Sequence, residues 1–380
     1  MVSEEVLRRC FTFMHMISSE EIAALRLHNQ QLTQPTFSDP ALLLQHMGAL
    51  QAQHYGMVQY AAGLRLNGGT RTAVTTALDQ GQLIRTHVLR PTWHLAAAST
   101  LPLLLQLSAS RIWSAARRTW ARRGINEALF KKCFAVFRKA LKGGRSLTRT
   151  ELVAALKKSG IQLEGENAIA HVLMAAELQE LLCSGPDKGK KTTYALYKDR
   201  VPETALLSRA QALGQLAATY CKSRGPVTVD DFSWWSGLTL TEARKGVALA
   251  GAQLQSEQAD RKTYWWGRQQ PEPASIPRAL LLPAFDELLI AYRDRSLWME
   301  SHMRSGVISS NGIFWPVVLL NGKVAGLWKQ TEKKQQLEIT VQWFKRQLRK
   351  DQDAVAAAAD ALTRFTGKSV DLKFSRYPGK

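Results

Sequence analysis

The stretch AIAHVLMAAELQELLCSGPDKGKKTTYALY, residues 168–197, decides how the rest of the chain is read. Its first half, Ala168 to Leu182, carries apolar residues at helical spacing and predicts a recognition-type helix. LCSGPDKGKKTTYALY then reads as strand, Lys- and Gly-rich loop, strand: a helix followed by a basic wing. Upstream, Leu147 to Leu152 (LTRTEL) opens another helix with a Thr cap and an acidic first turn. GPDKGKKT, Gly185 to Thr192, only imitates a phosphate loop. It is one residue short of the Walker spacing and puts Lys191 where the Mg²⁺-binding hydroxyl belongs.

The same order recurs on both sides. Toward the N-terminus, Glu20 to Leu32 predicts an amphipathic helix. A second helix begins near Asp39-Pro40, with Asp39 as cap, and runs into Gly48 to Leu66. A third covers Thr70 to Gln80, ahead of LIRTHVLRPTWHLAAA, which predicts a hairpin turning near Arg90-Pro91. Toward the C-terminus, SRAQALGQLAATYCKSRGP is a helix ended by Gly225-Pro226. VTVDDFSWWSGL is a short capped helix, TLTEARKGVALAGAQL a third, and QSEQADRKTYWW a hairpin. Three units of one supersecondary type make an internal repeat of pattern rather than identity. The last block changes character: Asn321-Gly322 between two apolar runs is a hairpin signal, and DQDAVAAAADALTRFTG closes a small β-rich domain in which a five-stranded half-barrel is possible. The expected fold is α+β, three tandem winged helices followed by a small β-rich C-terminal domain. The expected boundaries are 1–145, 146–205, 206–272 and 273–380.

Composition narrows the partner. The chain has 380 residues with 51 Lys+Arg against 31 Asp+Glu, a formal charge of +20. Such an excess is self-repulsive unless a polyanion relieves it, so nucleic acid is the expected partner. Hydrophobic content of 45% and charged content of 22% are globular values. No apolar run approaches the roughly 20 residues that cross a bilayer, and the acidic start does not read as a secretory signal. A cytoplasmic, nucleoid-associated protein without membrane contact is expected. Cys10, Cys133, Cys183 and Cys221 are scattered, as for reduced thiols, and the eight histidines show no metal-ligand spacing. No metal and no cofactor are expected. A metal-dependent nuclease would want clustered carboxylates, which the sequence lacks.

LQHMGALQAQHYGMVQYAAGLRL with the upstream IAALRLHNQQL resembles the AlkZ/YcaQ-like winged-helix DNA glycosylases, relatives of the azinomycin-resistance enzyme. RTHVLRPTWHL, GPVTVDDFSWWSGL, LLPAFDELLIAYRDRS and NGIFWPVVLLNGKVAGLWK are similar to later segments of that family in the same order. The resemblance implies excision of alkylated purines, unhooking of interstrand crosslinks, and a catalytic Gln-x-Gln or Gln-x-Asp motif. Here the motif is Gln51-Ala52-Gln53, the Gln-x-Gln branch. His54 follows where an acidic residue is common in the family.

The chemistry of those residues is coherent. A purine alkylated on its imidazole ring is already cationic and leaves without a strong general acid. What remains is to hold a water against the anomeric carbon, which a neutral amide can do through its carbonyl oxygen and NH₂ group. Two residues apart on a helix is about 200°, so joint action by Gln51 and Gln53 requires a helix end or an extended turn. Secondary candidates are His94, on the first wing, and Asp286 with Glu287, which read more naturally as an acidic helix N-terminus. Trp234-Trp235 and Trp265-Trp266 read as core before stacking surfaces. Arg117, Arg118, Arg122 and Arg123, with wing residues Lys188, Lys190 and Lys191, are candidate phosphate contacts. The alternative reading is a tandem winged-helix transcriptional regulator without catalysis. A regulator typically dimerises on a palindrome, whereas three different winged helices can surround double-stranded DNA as a monomer, the expected state.

Overall fold

A computed structural model describes residues 17–378 except 166, 206, 270, 271 and 274, so Cys10 lies outside the described residues. The architecture is mixed α+β. Helix α1 (Ser19–Asn29) starts at a reciprocal Ser18/Glu21 capping box, and α2 (Pro40–Met47) starts at Asp39, whose carboxylate accepts from Ala41 N and Leu42 N. The chain does not continue as helix to Leu66 as its spacing predicts. It breaks at Gly48, which has φ +70°; a Cβ there would lie 3.2 Å from Thr219 Cγ2. Residues Leu50–Gln51 become strand β1, and helix resumes only at α3 (Tyr55–Leu64). After α4 (Arg71–Asp79), β2 (Leu83–Val88) and β3 (Thr92–Ala97) form the expected hairpin. β1 adds to it antiparallel, in the order β1-β3-β2. Cross-strand pairing of Leu50 with Leu95 and of Gln51 with His94 thus overrides local helical spacing.

Helices α5 (Leu101–Arg122) and α6 (Glu127–Leu141) lead to β4 (Leu147–Thr148), α7 (Arg149–Lys158), α8 (Ala168–Leu178), β5 (Leu182–Lys188) and β6 (Lys191–Leu196). The sheet order β4-β6-β5 repeats that of the first. Thr148 and Glu151 form the capping box read from the sequence. α8 stops four residues before the predicted Leu182, because Leu182 already pairs with Leu196. α9 (Arg209–Arg224), α10 (Val229–Ser236), α11 (Leu240–Ala250) and the two-stranded β7 (Leu254–Ala259) and β8 (Lys262–Gly267) follow.

The C-terminal block is a five-stranded sheet. It comprises β9 (Ala279–Leu282), the short helices α12 (Glu287–Ile290) and α13 (Arg304–Val307), β10 (Val317–Leu320), β11 (Lys323–Glu332) and β12 (Gln336–Trp343). Asn321 and Gly322 both have positive φ, as the tight hairpin between β10 and β11 demands. The closing helix divides into α14 (Arg349–Ala358) and α15 (Asp360–Thr366), and β13 (Ser369–Arg376) pairs parallel to β12. A parallel neighbour requires a crossover, which α14 and α15 supply.

One core joins the first sheet to the last: Leu43, Met47 and Leu95 share it with Trp328, Ile339 and Phe365. Gly63 on α3 sits so close to Phe365 that a Cβ would meet Cδ2 at 2.4 Å, so the glycine is a packing requirement. Beside this core Arg65 on α3's C-terminal turn donates to both Asp286 oxygens, at 2.9 and 2.8 Å, with both side chains fully buried. Removing one partner of such a pair strands a charge in the interior. Arg65→Ala should therefore cost about 3–5 kcal/mol in urea unfolding. Arg293→Ala, which breaks an exposed ion pair with Asp230, should cost no more than about 1 kcal/mol.

Candidate active site

Gln51 ends strand β1, and Gln53 lies two residues on, in the bend that leads into α3, so the motif is at a strand end and turn rather than within a helix. Ala52 N donates to Trp93 O at 2.7 Å, and His54 caps α3, its Nδ1 accepting from Met57 N at 3.3 Å. Gln51 is buried; its backbone N donates to Glu287 Oε1 at 3.0 Å and its Oε1 accepts from Arg90 Nη2 at 2.8 Å. Gln53 is exposed, and its Oε1 accepts from Trp93 N at 3.0 Å, the position a ladder carbonyl would otherwise fill. Since both partners are obligate donors, each amide's orientation is chemically assigned: the oxygen is anchored and the NH₂ group is left to donate. Each oxygen keeps one further lone pair.

His94 faces Gln51 across the ladder. Its Nδ1 lies 3.0 Å from Thr92 O, so that nitrogen carries the proton, and the buried Nε2 has no partner. Burial, reinforced by the Arg90 charge, pushes its pKa down to about 3, so the ring is neutral at working pH. A neutral imidazole with a bare Nε2 is an acceptor.

The support beneath the motif is ionic. Glu287 Oε2 accepts from Arg224 Nε at 3.0 Å and Nη2 at 2.6 Å, and from Trp235 Nε1 at 3.0 Å. Arg224 also donates to Met47 O and Ala49 O, clamping the chain on both sides of Gly48. Of the two acidic candidates, Glu287 reaches the motif. Asp286 caps α12 and binds Arg65, so the structure gives it an anchoring place and does not bring it to Gln51. Trp235 is core, as expected, whereas Trp234 is 42% exposed.

Just past the motif the chain reaches the β5–β6 hairpin. Arg85 donates to Ala52 O at 3.1 and 3.0 Å and lies 4.1 Å from the Trp93 ring centre and 5.4 Å from that of Tyr55. Tyr55 OH donates to Asp187 Oδ2 at 2.7 Å, which brings the β5–β6 turn with Lys188, Lys190 and Lys191 alongside. All three lysines are exposed, Lys188 lying 3.3 Å from Glu151. Arg117, Arg118, Arg122 and Arg123 are exposed near the end of α5, whose other face packs Trp113 and Trp120 on Phe130; charge alone recommends them. Sequence reasoning missed Arg90, Arg85 and Arg224. Arg90 and Arg85 belong to the hairpin that also holds His94, but no spacing rule marks which arginine meets the motif.

Among the described residues no group of three or more His, Cys, Asp or Glu could hold a metal, and no helix is long and apolar enough to cross a membrane. The profile of the AlkZ-like DNA glycosylases matches residues 44–365, which include the motif and the whole of its ionic support. The chain belongs to the AlkZ-like DNA glycosylase family. A related AlkZ-like protein of Streptomyces sahachiroi, described as an interstrand DNA cross-link repair glycosylase, is 26% identical across 85% of this chain and 90% of its own length. The solved structure of S. sahachiroi DNA glycosylase AlkZ superposes with a TM-score of 0.77 at 22% identity, covering 95% of this chain and 100% of that one, a likeness of fold. This AlkZ-like chain is thus an enzyme, a DNA glycosylase whose substrate is DNA, and the regulator alternative finds no support.

The buried His94 has a consequence for stability. Unfolded, it takes up a proton near pH 6.5; folded, it does not until about pH 3. The unfolded state therefore binds more protons in between, and stability falls as pH drops from 6.5. His28, His46 and His171 are shifted in the same direction. His94→Gln should flatten, without abolishing, the fall of the urea midpoint between pH 6.5 and 4.

Proposed function

We propose that this glycosylase excises cationic alkylated purines and unhooks interstrand crosslinks, with Gln51 and Gln53 placing water against the anomeric carbon. The observation that carries the reading is the pair of amides with anchored oxygens two residues apart, Gln51 at the end of β1 and Gln53 in the bend after it, with a neutral histidine paired across the ladder from Gln51. Arg90 and the Trp93 N–H fix the two oxygens before substrate arrives, and such pre-organisation is where catalytic advantage lies. The water's protons have acceptors in the remaining lone pairs of the two amides and in His94 Nε2. Neither amide is a base, so the leaving group must already be labile. Crosslink unhooking is supported by the description of the S. sahachiroi relative.

The tandem winged-helix reading, with units 1–145, 146–205 and 206–272 and a β-rich domain 273–380, belongs to this proposal. Its support is the recurrence of helices followed by a hairpin and the shared strand order of the first two sheets. A monomer on the nucleoid, gripping duplex through Lys188, Lys190, Lys191 and the four α5 arginines, follows from the charge. His54 caps α3 and needs no catalytic place.

The direct experiment is to incubate the protein with duplex carrying a single 7-methylguanine, and separately with crosslinked duplex, and to follow free base, abasic site and strand separation. Gln51→Ala and Gln53→Ala should each slow base release by about 10²-fold with duplex affinity nearly unchanged. Wild-type rates in both variants would remove the amides from the mechanism. Duplex affinity should fall with salt by a log–log slope of about −0.9 per neutralised phosphate. Charge removal at Lys188, Lys190 and Lys191 should weaken all sequences alike.

A further inference from the structure

Near Gln51 and the short helix α12 stand guanidinium groups that form no ion pair among the described residues. Arg90, in the β2–β3 turn, donates from its side chain to Gln51 Oε1, and its buried Nε has no hydrogen-bond partner among the described residues. Arg295, in the loop after α12, donates to Leu289 O at 2.7 Å and Arg293 O at 3.3 Å, while its buried Nη2 is unpartnered. Arg304, which opens α13, is exposed. None of the three has an ion pair among the described residues. The nearby carboxylates are committed: Glu287 to Arg224, Asp231 to the α10 cap and Arg26, Asp294 to Lys262. Arg295 is pushed down to about 10 by burial first and then by the charges of Arg304 and Arg90, with Asp231 and Asp294 acting against the shift.

Unpaired positive charge inside a protein is costly unless a ligand supplies the anion. The free donors are guanidinium nitrogens, whose fork geometry suits phosphate oxygens. Arg295 also lies 5.2 Å from the ring centres of Trp234 and of Phe314. Trp234 is pinned by its Nε1 to Ile290 O yet keeps an exposed face, a platform of the kind on which nucleobases stack. We propose that Arg90, Arg295 and Arg304 bind a backbone phosphodiester of the lesion-bearing strand, next to the nucleotide being cleaved, with Trp234 stacking alongside. The placement next to the cleaved nucleotide rests on the reading of Gln51 given above; the phosphodiester site itself does not. Arg90 would then span from phosphate to Gln51 Oε1, so that docking the strand tightens the amide.

The test is binding of duplex containing an uncleavable abasic-site analogue, with single phosphates replaced by neutral methylphosphonates on either side. For wild type, one position near the analogue should weaken binding by about tenfold. In Arg295→Gln that position should weaken binding by clearly less than tenfold, and the log–log salt slope should be shallower than in wild type. Arg295→Lys should keep the slope. Arg304→Gln, at an exposed site where folding is not at stake, should reproduce the loss of slope. Methylphosphonate effects and slopes unchanged in both glutamine variants would overturn the proposal. So would selective displacement of DNA by inorganic phosphate over chloride at equal ionic strength, which would assign the site to a free anion. Gln51→Ala should retain the methylphosphonate pattern, so failure of the amide mechanism and failure of the phosphodiester site are separately visible.

Discussion

The buried carboxylate of Glu287 is the interaction on which the motif depends. It lies at the start of α12 in the C-terminal block, yet it binds Arg224 from α9, Trp235 from α10 and the backbone N–H of Gln51 from β1. Four sequence-distant elements therefore meet at one side chain. Arg224 extends the grip to Met47 O and Ala49 O, where the chain leaves α2. The backbone there has exchanged helical hydrogen bonds for an extended conformation, and those freed carbonyls need donors. Arg224 supplies them, and Glu287 balances its charge. A buried charge pair is weak evidence of net stability, but it is exacting about geometry.

The second ion pair works in parallel. Arg65 with Asp286 ties the end of α3 to the residue preceding Glu287, and Arg65 also donates to Gln30 Oε1, whose Nε2 donates to Tyr292 OH. The helix that follows the motif and the turn that supports it are thus fixed to the same point. Adjacent carboxylates of one short helix act on opposite ends of the catalytic segment, Asp286 behind α3 and Glu287 beneath β1. On the proposed mechanism this arrangement suits the use of amides. An amide offers no titratable charge with which to activate water, so its contribution has to come from being held still.

The electrostatics divide the same way. Carboxylates near the motif are neutralised by buried arginines, while Arg90 and Arg295 are left positive. Burial holds His94 neutral, so it adds no positive charge beside Gln51.

Much of this was legible in the residues themselves. The capping box of Thr148 with Glu151, the Asn321-Gly322 hairpin and the order helix, strand, turn, strand over residues 168–197 are local signals, encoded by neighbours in sequence, and the structure shows each in place. The composition, with its +20 charge, pointed to nucleic acid before any coordinate was known. Gln51-Ala52-Gln53 stands out through the family resemblance, and helical geometry adds that joint action there needs a helix end or an extended turn. What tertiary structure decided was everything non-local. That the helix breaks at Gly48 depends on Thr219 and Trp235 crowding it and on His94 pairing across the ladder. That Asp286 anchors while Glu287 supports depends on which arginine each meets, Arg65 or Arg224, and neither is near them in sequence. Local propensity is written in spacings of two to four residues; desolvation and charge pairing depend on what surrounds a group in space, and only the folded chain determines that.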